Sequence, residues 1–112
     1  MIMRWCFAML SALVVGQCPA SAGSAEHGKT VFMRSGCWEC HGTLGQGSIA
    51  TSNGKRIAPN PLPWETFSGF VRSSNRAMPP FSEKILSDAD LADIYAYLQS
   101  VPKPPSDITL LK

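Results

Sequence analysis

Long apolar runs, strand-like alternation and a dominant charge are all missing from this 112-residue chain. The longest apolar block, Trp5 to Val15 with Ser11 inside it, falls short of the ~18 consecutive apolar residues that usually span a bilayer. That argues against a membrane anchor. Strict apolar/polar alternation and a βαβ order are also absent, which removes the frame in which a thioredoxin-like dithiol usually sits. Ten basic against eight acidic side chains leave a net charge of +2, too little to steer the chain toward nucleic acid or an acidic membrane surface. Cysteine is scarce as well, with four in the whole chain.

Two of those cysteines lie in the first 22 residues, which have the three parts of a secretory leader. A short basic region ends at Arg4, the apolar block follows, and Ala20-Ser21-Ala22 forms a small-residue cleavage site. Residues 1–22 are therefore expected to be a cleaved signal peptide. Residues 23–102 would form one domain and 103–112 a Pro-rich tail. Gln17 precedes Cys18 where a lipoprotein signal would have a small residue, so lipid tethering is not expected. Cleavage leaves Cys37 and Cys40 as the only thiols. An exported domain this small has little apolar core, and a disulfide between neighbouring cysteines closes too short a loop to compensate. Something else must fill the middle.

The domain reads as all-α with long loops. Ser24 is placed to cap a helix from Ala25 to about Arg34, with Gly28 and Phe32 on one face. Gly42 to Pro63 is rich in Gly, Ser, Asn and Pro and shows no period. A loop of that length inside a compact domain needs something to wrap around. Pro63 to Arg72 reads as a short helix with Trp64, Phe67 and Val71 on one side. A Pro-stiffened loop carries Arg76-Ala77-Met78-Pro79-Pro80-Phe81, and Ser82 to Leu86 is suited to a single helical turn. The last helix starts at Ser87-Asp88-Ala89-Asp90, a capping-box pattern with Asp in place of Glu. It continues through Leu91, Ile94, Tyr95 and Leu98 and stops at Pro102.

The chemistry lies in Cys37-Trp38-Glu39-Cys40-His41. A dithiol redox site lacks its βαβ setting here. A zinc site lacks a second ligand pair, since His27 is the only other residue on offer. Covalent haem attachment requires two thiols three residues apart to add across the two vinyl groups, and a histidine directly after the second thiol to reach the iron. Cys37 and Cys40 would make the thioethers and His41 the proximal ligand. Haem also supplies the missing core, the covalent staple and the body for the long loop to enclose.

The opposite face of the iron decides between an electron carrier and an open reactive site. Met33, four residues before Cys37, belongs to the first helix and reads as core packing. His27 sits on the same helix and reads as a surface residue. Met78 lies 37 residues after His41 in the Pro-stiffened loop, where it can pass over the far side of the ring. A thioether ligand favours ferrous iron, raises the potential and fills the coordination sphere.

With this motif, a methionine followed by proline and flanking helices, residues 23–102 resemble the small class I c-type cytochromes. The resemblance implies a class I cytochrome c fold whose N- and C-terminal helices cross, with Gly28 and Phe32 meeting Ile94 and Tyr97. Short middle helices and long loops would wrap one covalently bound haem c. It implies a periplasmic one-electron carrier between a dehydrogenase or reductase donor and an oxidase or other acceptor. A haem subunit of a dehydrogenase complex is the alternative, and an open-site haem enzyme or gas binder is a further one. Two departures stand out. Cys37 comes five positions after Phe32, one more than is usual, so a residue near Gly36 must be absorbed. Lys55 in Gly54-Lys55-Arg56-Ile57-Ala58-Pro59 occupies the place of a proline whose carbonyl accepts the proximal histidine's ring N–H. Because the acceptor is backbone, Lys55 can still supply it. Trp64, Arg56 and Arg72 are expected as contacts for the haem propionates. Partner docking is expected on the apolar surface near Trp38, Met78 and Phe81.

Overall fold

The computed structural model describes residues 23–48 and 54–104. Residues 1–22, expected as a leader, residues 49–53 of the long loop and residues 105–112 lie outside the described residues. Four helices and no strand are present among them: α1 (Ala25–Arg34), α2 (Cys37–His41), α3 (Trp64–Ser73) and α4 (Asp88–Ser100). None is long and apolar enough to cross a membrane.

Helix α1 starts where Ser24, in an extended conformation, accepts a hydrogen bond from the His27 amide on its Oγ at 3.2 Å. That satisfies one of the amides a helix N-terminus leaves open. The buried face is Gly28, Val31 and Phe32. The helix ends as the Ser35 amide donates to the Val31 carbonyl, and Gly36 then adopts φ 77°. An L side chain is strained there and glycine is not. The extra residue before Cys37 is absorbed at this glycine, which also opens α2.

Helix α4 is capped by Ser87, whose Oγ accepts from the Asp90 amide at 3.1 Å. Only this half of the expected capping box forms. The Asp90 side chain, a methylene shorter than Glu, turns instead toward Arg34 on α1 at 3.5 Å. The buried stripe is Leu91, Ile94, Tyr97 and Leu98, so Tyr97 takes the inward place that periodicity assigns to Tyr95.

The α1–α4 crossing is the centre of the fold. A Cβ at Gly28 would collide with the Asp93 carbonyl group and come within 2.9 Å of the Ile94 amide, so only glycine lets the backbones approach this closely. Phe32 and Tyr97 meet there with ring centroids 5.5 Å apart. Val31, Phe32 and Leu98 are fully buried, and each such side chain contributes about 1.5–3 kcal/mol through removal from water. Helix α3 adds Phe67 and Val71 to the same core. Pro63 stands just outside its first turn as the capping residue. Residues Ser82–Leu86 form a single turn in which the Ile85 and Leu86 amides both donate to the Ser82 carbonyl, and Leu86 is buried. This is the all-α fold with crossing terminal helices that the sequence predicts.

Candidate haem centre

The motif occupies α2, a single turn of helix directly after the Gly36 break. Within one turn, Cys37 and Cys40 stand three residues apart and share a side, with His41 next in line. The two thiols are not joined to each other. Burial pushes the Cys37 thiol up to about 11, so it is not the activated thiolate that a dithiol exchange site requires. His41 is held from the long loop: its Nδ1 donates to the Lys55 carbonyl at 2.7 Å. Lys55 thus supplies the acceptor that the family usually takes from proline. Nε2 has no protein partner among the described residues, and a ligating imidazole is arranged in this way, with one nitrogen tied back and the other presented.

The loop that carries Lys55 is braced on itself and by α4. The Ile57 and Ala58 amides both donate to the Gly45 carbonyl, at 2.8 and 3.1 Å, and the Ser48 amide donates to the Gly54 carbonyl at 2.9 Å. The Ala58–Pro59 peptide is cis. From α4, the Tyr97 hydroxyl donates to the Thr43 carbonyl at 2.7 Å and the Tyr95 hydroxyl to the Leu62 carbonyl at 3.0 Å. One tyrosine holds the start of the loop and the other its end. Burial raises the Tyr97 phenol above its ordinary value, which keeps its proton in place for that bond. Residues two apart on a helix point about 200° apart, so Tyr-x-Tyr cannot be two core residues on one stripe. That spacing is the signal from which the pair was legible.

Met78 lies in the loop between α3 and α4, half-buried against the core. Cys37, Ile57, Trp64, Phe81 and Tyr95 are likewise partly buried and pack on the core from outside. Each keeps part of its surface uncovered, apolar surface of the kind a porphyrin could cover. Trp64 stacks edge-on against Tyr95, with centroids 5.3 Å apart, and its indole N–H has no partner among the described residues. The donor set and the presented imidazole fit a haem.

Residues 23–98 match the family model described as cytochrome c oxidase, cbb3-type, subunit III. The chain belongs to this family. It is a small monohaem c-type cytochrome with covalently bound haem c, and such domains work in redox chains with other redox proteins. No curated protein and no solved structure matches the cytochrome.

The remaining expected site residues fall in different places. Arg56 is exposed, donates from Nε to the Gln46 carbonyl at 3.4 Å, and lines a cavity of about 210 Å³ with Lys103 and Asn60. That cavity does not include the motif. Arg72 is committed within the protein: Nη1 donates to the Phe81 carbonyl at 3.0 Å and the Leu86 carbonyl at 2.6 Å, and Nη2 pairs with Asp88 at 2.6 Å. Met33 packs against the core as the sequence suggests. His27 is half-exposed and pairs with Asp93 on α4 at 2.7 Å.

Proposed function

We propose that the cytochrome is an exported, periplasmic one-electron carrier in which Cys37 and Cys40 bind the haem covalently and His41 and Met78 ligate its iron. Haem c supplies the Fe(III)/Fe(II) couple. The protein's residues do the rest. The Lys55 carbonyl orients the His41 ring and fixes its tautomer. Met78 brings a soft neutral donor that favours the reduced state and closes the remaining position to oxygen. The Trp64 indole N–H is the donor best suited to a propionate, since no described residue occupies it. Trp38 is 40% exposed, and Met78 and Phe81 remain partly exposed. That surface is suited to brief apolar docking of a dehydrogenase or reductase donor and of an oxidase or other acceptor. A cytochrome domain points to electron transfer rather than to a reaction on a substrate.

The observation that carries this reading is the His41 imidazole, tied at Nδ1 and, among the described residues, unpartnered at Nε2, at the end of a Cys-x-x-Cys turn. The test is the spectrum of the haem-loaded protein. A low-spin ferric form with a methionine-to-iron charge-transfer band, lost in Met78→Ala together with a fall in potential, is expected. A high-spin wild type that binds carbon monoxide readily would instead indicate an open distal site.

A further inference from the structure

The loop that carries Met78 has little secondary structure of its own to hold it. From Ser74 to Ser87 it runs without a helix, and the Pro79-Pro80 pair has no amide hydrogen to donate. Its fixed points are few and lie close to one side chain. The Phe81 amide donates to the Val71 carbonyl at 2.9 Å, and the Phe81 carbonyl accepts from Arg72 Nη1. The same Nη1 reaches the Leu86 carbonyl at the end of the loop, and Nη2 reaches Asp88 in the first turn of α4. The Arg72 side chain is only 20% exposed, so these charge-assisted bonds are partly shielded from water and are stronger than neutral ones. Between Phe81 and Met78 stand two prolines whose φ angles are fixed near −65°. Fewer backbone angles are therefore free to absorb a displacement of Phe81 before it reaches Met78.

We infer that Arg72 is a positioning residue for Met78: it ties the Met78 loop to α3 and α4 and sets how readily the thioether leaves its place. Arg72 acts through the Phe81 and Leu86 carbonyls. The inference rests on Met78 being the iron's second axial ligand. Lysine cannot replace arginine here, because one ammonium lacks the planar fork that spans three acceptors in different directions. Asp88→Asn removes the carboxylate and leaves both carbonyl bonds, so its effect is smaller.

The experiment follows the methionine-to-iron band of the haem-loaded ferric protein through an alkaline titration, together with the rate of carbon monoxide binding to the ferrous form. Arg72→Met and Arg72→Lys are expected to lower the pH at which the band disappears by about one unit, a tenfold change in the displacement equilibrium, and to speed carbon monoxide entry by roughly tenfold. Asp88→Asn should move both by less. Arg34→Met, which breaks the surface pair between α1 and Asp90 of α4, serves as the comparison, as does Leu91→Ala, which lowers stability but leaves the Arg72 bonds in place. If Leu91→Ala, at equal loss of thermal stability, shifts the band and the binding rate as far as Arg72→Met does, Arg72 is only structural and the inference fails. A wild-type band that Arg72→Met leaves unmoved overturns the inference alone. A wild type with no such band overturns the ligand assignment and the inference with it.

Discussion

The α1–α4 crossing and the two loops around the haem centre are held by different physics. At the crossing, apolar side chains interdigitate across two regular helices, and Gly28 removes the one Cβ that would keep the backbones apart. In the loops, irregular backbone is held by a few backbone bonds and by single polar side chains reaching in from helices: Tyr97 to Thr43, Tyr95 to Leu62, Arg72 to Phe81 and Leu86. Packing distributes its free energy over many weak contacts, whereas each loop bond is a separate point of failure. The crossing therefore governs whether the domain folds, and the loops govern how His41 and Met78 are presented.

This contrast can be broken most forcefully at the crossing. Phe32→Ala empties a fully buried position against Tyr97 and is expected to cost about 4 kcal/mol. Guanidinium unfolding of the haem-loaded protein measures it, and a loss under about 1 kcal/mol would mean the helices are held by the cofactor instead. A smaller effect is expected where crossing and loop are joined. Tyr97→Phe keeps the ring and leaves the Thr43 carbonyl without its donor, at about 1 kcal/mol. Its signature is regional: amide exchange should accelerate in residues 43–47 and stay unchanged in α1. Uniform acceleration would erase the distinction between the two regions. The smallest change is at the rim of the crossing, where the His27 hydrogen bond holds the Asp93 carboxyl below the usual carboxylate range. A group depressed in this way adds stability above its unfolded value and loses that contribution as pH falls through its folded one. Asp93→Asn should thus lower the thermal midpoint slightly at neutral pH, and the gap should close as pH drops below about 4. A gap that widens in acid would rule out this role for Asp93.

The crossing was readable because helical period, caps and close approach are local or nearly so. Ser24 and Ser87 cap where their positions predict, and Gly28 faces Asp93 and Ile94. The capping box formed only on one side, because the Asp90 side chain turned to Arg34, 56 residues away in sequence. The Lys55 acceptor was anticipated because a carbonyl does not depend on the side chain that accompanies it. The loop braces were not anticipated. Arg72 reads from sequence as a surface cation able to meet a propionate, yet three oxygens of the protein surround it. Tyr95 was assigned to the core stripe, although Tyr97 fills that place and Tyr95 reaches across to the loop.

By itself the sequence determined the all-α class, a c-type cytochrome read from the Cys-x-x-Cys-His spacing, and the partners at the helix crossing. Each of these rests on spacing along the chain, and spacing is a covalent fact. Only the tertiary structure decided which side chains hold the loops. A tyrosine hydroxyl or a guanidinium can serve any carbonyl within reach, and the fold alone sets which carbonyls those are.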